Sequence, residues 1–164
     1  MRLVIVPSAL ALLPEYASTV DPVAEVRAAT EAAVAWLVAD APAACRGTTP
    51  SAKRIGAELL GESHGSGPGL LVVANGSATR SEKAPGHLDE RAAGFDAAIG
   101  KALADGDLRA LADLDLDLAA ELWAPDAAAF RGLSGFTPAS TQVDYDDAPY
   151  GVQYWVVRYE CPEQ

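Results

Sequence analysis

The stretch LLVVANGSATRSEKAPGHLDER, residues 70–91, admits few folds. Residues 70–74 form a short apolar run bounded by a turn signal at Asn75-Gly76, the pattern of a buried strand. Ser77, Thr79, Arg80, Ser81, Glu82 and Lys83 follow, then Pro85-Gly86 and His87, with almost no apolar side chains among them. A helical pattern starts at Asp89. A strand that feeds a polar loop and then a helix is half of an α/β unit. In open α/β sheets the loops at the carboxyl ends of strands build the site. The loop at residues 75–87 is therefore expected to form part of any site.

The rest of the chain supplies the other layers. Residues 3–6 predict a first buried strand, ended by Pro7. Asp21-Pro22 predicts a helix start, with Asp as cap and Pro as first helical residue. Val23, Val26, Ala33, Val34 and Leu37 give that helix its apolar stripe. Residues 40–50 read as a loop. Ser51 is expected to cap a short helix that stops at Gly61. The glycine-rich GSGPG at residues 65–69 precedes a strand, whereas a dinucleotide fingerprint follows one, so it reads as a connector. Leu108, Leu111, Leu114, Leu118 and Leu122 predict helix with a break near Asp115. Asp113, Asp115 and Asp117 resemble the start of a calcium loop, but its sixth and twelfth positions hold Leu118 and Ala124, where Gly and Glu are needed. Pro125-Asp126 predicts another short helix. Residues 140–145 and 150–159 read as strands joined by a turn at residues 146–149. Bulky residues on both faces of the last strand, Val152, Tyr154 and Val156 against Trp155 and Val157, predict that it is covered on both sides. The expected fold class is α/β: a three-layer helix–sheet–helix sandwich whose mixed sheet ends in a C-terminal β-hairpin.

A length of 164 residues suits one domain over residues 1–164. The formal charge of −11 argues against nucleic acid and anionic membranes as partners, because both need basic patches. The two cysteines, Cys45 and Cys161, match no metal spacing and read as free thiols of a cytoplasmic protein. Pro7 breaks the N-terminal apolar stretch, which favours a strand there over a signal peptide.

Three loops are expected to converge on a site. The first holds Ser8, the second Asn75, Ser77, Arg80, Lys83 and His87, and the third Asp144, Asp146, Asp147 and Tyr150. Arg80 and Lys83 suit an anionic ligand. Asp146, Asp147 and His87 suit a divalent metal, which gives the alternative of a metal-dependent oxidoreductase or hydrolase. No ready-made catalytic motif is present: Ser77 lacks the flanking glycines of a nucleophile elbow.

The segments GSATRSEKAPGHLDERAAGFDAAIGKALADGD and DDAPYGVQYWVVRY resemble the C-terminal half of class III extradiol ring-cleavage dioxygenases of the subunit-B-like group. The likeness is greatest to a small, shortened actinobacterial branch, related also to Memo-type proteins. LVIVPSALALLPE resembles the family's first strand and following loop, while residues 40–66 look shortened, with a strand missing. The resemblance implies a catechol-cleaving enzyme that uses oxygen and non-haem ferrous iron, held by two histidines and a glutamate, with a third histidine as acid/base.

Those residues do not carry over. Ser8 stands at or beside the place of the first ligand histidine, and no histidine occurs in residues 1–63 for the second. Ala78 follows Ser77 where the acid/base histidine is expected. Asp147, two residues before Pro149-Tyr150-Gly151, stands for the carboxylate. The expectation is thus a homologue without ring-cleavage activity or resident cofactor, acting as a binding or interaction protein. Ser8, Asn75, Ser77, Arg80, Lys83, His87 and Tyr150 would contact a small anionic or aromatic ligand, and Asp146 and Asp147 would hold any metal, ferrous iron included. A structural subunit of a homo-oligomer is a further alternative.

Overall fold

The two most apolar runs of the chain lie side by side. Strand β1 (Arg2–Val6) pairs in parallel with β3 (Gly69–Val73), Leu3 opposite Leu70 and Val6 opposite Val73. Continuous apolar sequence is what a parallel strand covered on both faces requires. The structure, a computed structural model, describes residues 1–162. Its five-stranded mixed sheet also contains β2 (Ala43–Arg46), β4 (Ser140–Asp147) and β5 (Tyr154–Glu160), in the order β2-β3-β1-β5-β4. Strands β1, β2 and β3 are mutually parallel. β5 runs antiparallel to β1 and to β4, so the last two strands form the expected hairpin.

Helices α1 (Ala24–Leu37) and α2 (Pro50–Leu60) cover one face through Val26, Ala33, Leu37, Ala52 and Ile55, against Val4, Val6, Leu71, Val73 and Val156. Helices α3 (Ala92–Asp105), α4 (Leu116–Glu121) and α5 (Ala127–Arg131) cover the other, where Phe95, Ile99, Leu103 and Phe130 meet Leu3, Ile5, Val72, Trp155 and Val157. Alternate residues of β5 thus serve opposite layers, as its sequence predicts. Phe130 meets Trp155 edge-on at a centroid distance of 5.6 Å, a geometry that contributes about 1 kcal/mol beyond burial. Among the described residues no helix is long and apolar enough to cross a membrane.

Several sequence expectations need correction. Residues 40–50 are not all loop, because they contain β2. That strand has four residues and pairs with one strand only, β3, and its Ala-Ala-Cys core has little of the β-branched character that marks a strand. Helix α1 starts at Ala24, and Asp21 instead accepts from Val23 N at 3.0 Å. Thr49, not Ser51, caps α2, with Pro50 in its first turn. Asp115 caps α4 through Asp117 N and Leu118 N, which gives a structural role to one of the three aspartates of the calcium-like run. Asp146 and Asp147 end β4 and are not turn residues, and β5 begins at Tyr154 and not at Tyr150.

Candidate functional site

The carboxyl ends of β1, β2 and β3 lie along one edge of the sheet, and each feeds a polar residue into a common knot. Ser8 and Asn75 bind each other reciprocally: Ser8 N donates to Asn75 Oδ1 at 2.8 Å, and Asn75 Nδ2 donates to Ser8 O at 3.1 Å. Between them and β2 sits Asp126, which is 3% exposed. Thr49 Oγ1 donates to Asp126 Oδ1 at 2.9 Å. Burial pushes the Asp126 carboxyl up, while the Thr49 and Ser8 hydroxyls, the Asn75 backbone N–H and the Thr48 hydroxyl pull it back toward the ionised form. Asp126 precedes α5 but makes no cap bond to it, because its side chain is turned into this knot.

A second network lies beyond the end of β1. There the chain after β3 crosses toward β5: Gly76 N donates to Gln153 O, and Gln153 N to Ser77 O, both at 2.9 Å. The crossing brings Ser77 over α3 and its buried Asp96. Asp96 accepts from Ser77 N at 2.8 Å, Ser77 Oγ at 2.6 Å and Arg80 Nη1 at 3.3 Å. Burial raises its carboxyl, opposed first by the two Ser77 donors and then by Arg80. Arg80 Nη1 also donates to Gln153 Oε1 at 2.8 Å, and Gln153 Nε2 donates to Asp146 Oδ1 at 2.8 Å. A Cβ on Gly76 would lie 2.6 Å from Asp96 Oδ1 and 2.8 Å from Trp155 Cη2, so the crossing needs glycine for its close approach. Arg80, Asp96, Asp146 and Gln153 line an open cleft of about 450 Å³ beside α3.

The residues expected to share one pocket therefore separate. Ser8 and Asn75 belong to the first knot, while Ser77, Arg80 and Asp146 belong to the second network. Lys83 is exposed and makes no hydrogen bond or ion pair among the described residues. His87 is exposed at φ +59°, its Nδ1 3.2 Å from Glu82 O. Tyr150 points away, donating to Pro22 O at 2.6 Å, and Asp147, at the end of β4, accepts from the neighbouring Ala148 N at 2.7 Å. Asp146, Asp147 and His87 do not assemble: among the described residues no three His, Cys, Asp or Glu side chains form a group that could hold a metal ion. Ala78 is buried, its N–H bonded to Leu122 O under the turn after α4.

Sequence reasoning missed Asp96, Asp126, Thr48, Thr49 and Gln153. A signal for Asp96 was present. It falls on the stripe of Ala92, Ile99 and Leu103, and a carboxylate on an apolar helical stripe needs buried partners. Asp126 gave no such signal, since Pro-Asp before a short helix reads equally well as a cap. Comparison with protein-family models gives no match to this chain, and comparison with curated proteins gives none.

Proposed function

We propose that the protein is a dioxygenase-like domain that does not cleave rings and works instead as a small-molecule binding protein. What supports the reading is the knot at the carboxyl edge of the parallel strands. The resemblance puts the first iron ligand after the first strand, where Ser8 is tied to Asn75. It puts the second after a further strand, expected from the sequence to be missing; β2 stands in that stretch, and the loop after it offers Thr48 and Thr49, both directed to Asp126. Hydroxyl groups and an amide replace imidazoles there, and neutral hydroxyls are poor ligands for ferrous iron. The position is a hydrogen-bonded joint between loops.

The open cleft beside α3 offers the binding function a place, since it holds Arg80 of the best-matched loop. The free thiols of Cys45 and Cys161 fit residence in the cytoplasm. Anaerobic titration with ferrous iron, followed by oxygen uptake with catechol, tests the proposal. The expected result is no stoichiometric iron and no oxygen consumption above the protein-free rate. One equivalent of bound iron with ring-cleaved product would overturn it.

A further inference from the structure

Arg80 is held from one side only. Its Nη1 is engaged by Asp96 Oδ2 and Gln153 Oε1, and no described residue accepts from its Nε or Nη2. That leaves the flat Nε–Nη2 edge of the guanidinium, the fork that matches a carboxylate with two parallel hydrogen bonds. The anchor beneath it is buried: Asp96 is 2% exposed and fixed by two donors from Ser77. The guanidinium is thus oriented before any ligand arrives, which lowers the ordering cost of binding.

A carboxylate stands opposite. Asp146 lines the same cleft, uses Oδ1 to hold Gln153, and has no described partner for Oδ2. One amide, that of Gln153, bridges the two groups, accepting from Arg80 and donating to Asp146. The other charged residues of the cleft balance in pairs, Arg80 with Asp96 through Nη1 alone and Lys101 with Asp105. Asp146 is left as the uncompensated charge. Behind the cleft wall at Gly100 lies a buried indole. Trp155 Nε1 is buried without an acceptor and lies 3.2 Å from where a Cβ on Gly100, a cleft residue, would sit. The cleft volume of about 450 Å³ falls within the range of small-molecule sites, roughly 300–1,000 Å³.

We infer that this cleft binds a small zwitterion, an amino acid or a close relative, with its carboxylate on the free edge of Arg80 and its ammonium group on Asp146. A simple anion would meet Asp146, and a simple cation would leave the Arg80 fork unused. A molecule carrying both charges a few bonds apart satisfies both. The inference rests on the reading of the chain as a binding protein.

Calorimetric titration of the full chain with each of the twenty common amino acids tests it. At least one is expected to bind with a Kd below about 1 mM. For the tightest of them, the analogue lacking the amine and the analogue lacking the carboxyl group should each bind at least about tenfold more weakly. Asp146→Asn should weaken the amino acid about tenfold and leave the amine-free analogue nearly unchanged. Arg80→Gln should abolish binding. Because Arg80→Gln removes a partner of buried Asp96 and can unfold the chain, Asp146→Asn and the analogues keep the inference falsifiable. Absence of binding by all twenty overturns it, as does equal affinity for the amine-free analogue. Oxygen uptake with catechol, measured on the same preparation, decides the ring-cleavage question separately, so either idea can fail without the other.

Discussion

Thr49 and Asp126, 77 residues apart in sequence, meet at 2.9 Å over the carboxyl edge of the sheet. The same Thr49 oxygen accepts from Ala52 N at 3.1 Å and so caps α2. Helix α2 lies on one face of the sheet and α5, which follows Asp126, on the other. One hydroxyl therefore links the start of a helix in one layer to a buried carboxylate leading into the opposite layer.

Replacing Thr49 by Val keeps the shape and removes both bonds. The expected loss is about 1–2 kcal/mol, from an absent cap and a carboxylate short of one donor. Thr49→Ser should recover most of it. Urea unfolding of the three proteins gives the comparison, and a Val variant as stable as the parent would remove Thr49 from this role.

The Asp126 joint makes a prediction about pH. Its carboxyl is raised, chiefly by burial. A carboxyl whose folded value lies above its unfolded value binds its proton more tightly in the folded chain. Its contribution to stability is then complete below the ordinary carboxylate range, about pH 4, and is lost as pH rises through the folded-state value. Asp126→Asn does not titrate, so the variant should gain on the parent as pH rises from about 4 toward neutrality. Parallel unfolding midpoints for the two proteins across that range would contradict the assignment.

Gly76→Ala should be severely destabilising, by about 2–3 kcal/mol. The added methyl would meet the Asp96 carboxylate, Gln153 Cβ and the Trp155 ring, none further than 2.8 Å away. Thermal unfolding of the variant checks this. A wild-type midpoint would mean that the crossing from β3 toward β5 shifts without cost.

At the sheet's exposed edge, Arg158 grips Asp144 with two bonds, Nε to Oδ2 at 2.6 Å and Nη2 to Oδ1 at 2.9 Å. The pair pins β4 to β5 beside the irregularity between Val143 and Tyr145. Asp144→Ala should lower global stability by only about 1 kcal/mol, because the site is partly exposed. It should speed amide exchange in β4 more than in β1 or β3. Uniform acceleration across all strands would show that the pair acts globally.

The layers of the fold were legible because they rest on strong patterns. Residues 70–74 and 3–6 announce buried strands by unbroken apolar sequence, and the two-sided bulk of residues 152–157 announces an interior one. β2 was not legible, since three small residues and an arginine, paired with a single strand, carry little pattern. The site was legible in part. Loop membership identified Ser8, Asn75, Ser77, Arg80 and Asp146, but not how they divide. That division follows from the crossing at Gly76, which sends Asn75 toward Ser8 and Ser77 toward Asp96, a tertiary event without local signature. Lys83 and His87 share the loop's polarity but face solvent, so polarity alone did not distinguish network-forming from exposed groups.

The place of β5 has a consequence for how the chain acquires its structure. Leu3 of β1 pairs with Tyr159 of β5, so one side of the central strand waits for a segment more than 150 residues further along. The β4–β5 hairpin is local, but its pairing with β1 is not, and the entropy of closing so long a loop falls due before those contacts form. During synthesis β1 and β3 can associate early, but with β1 as a bare apolar edge open to wrong partners. Chains interrupted before Tyr154 should therefore aggregate and not persist as smaller folded units. The central strand is covered on both sides only when β5, carried by its hairpin with β4, closes against β1.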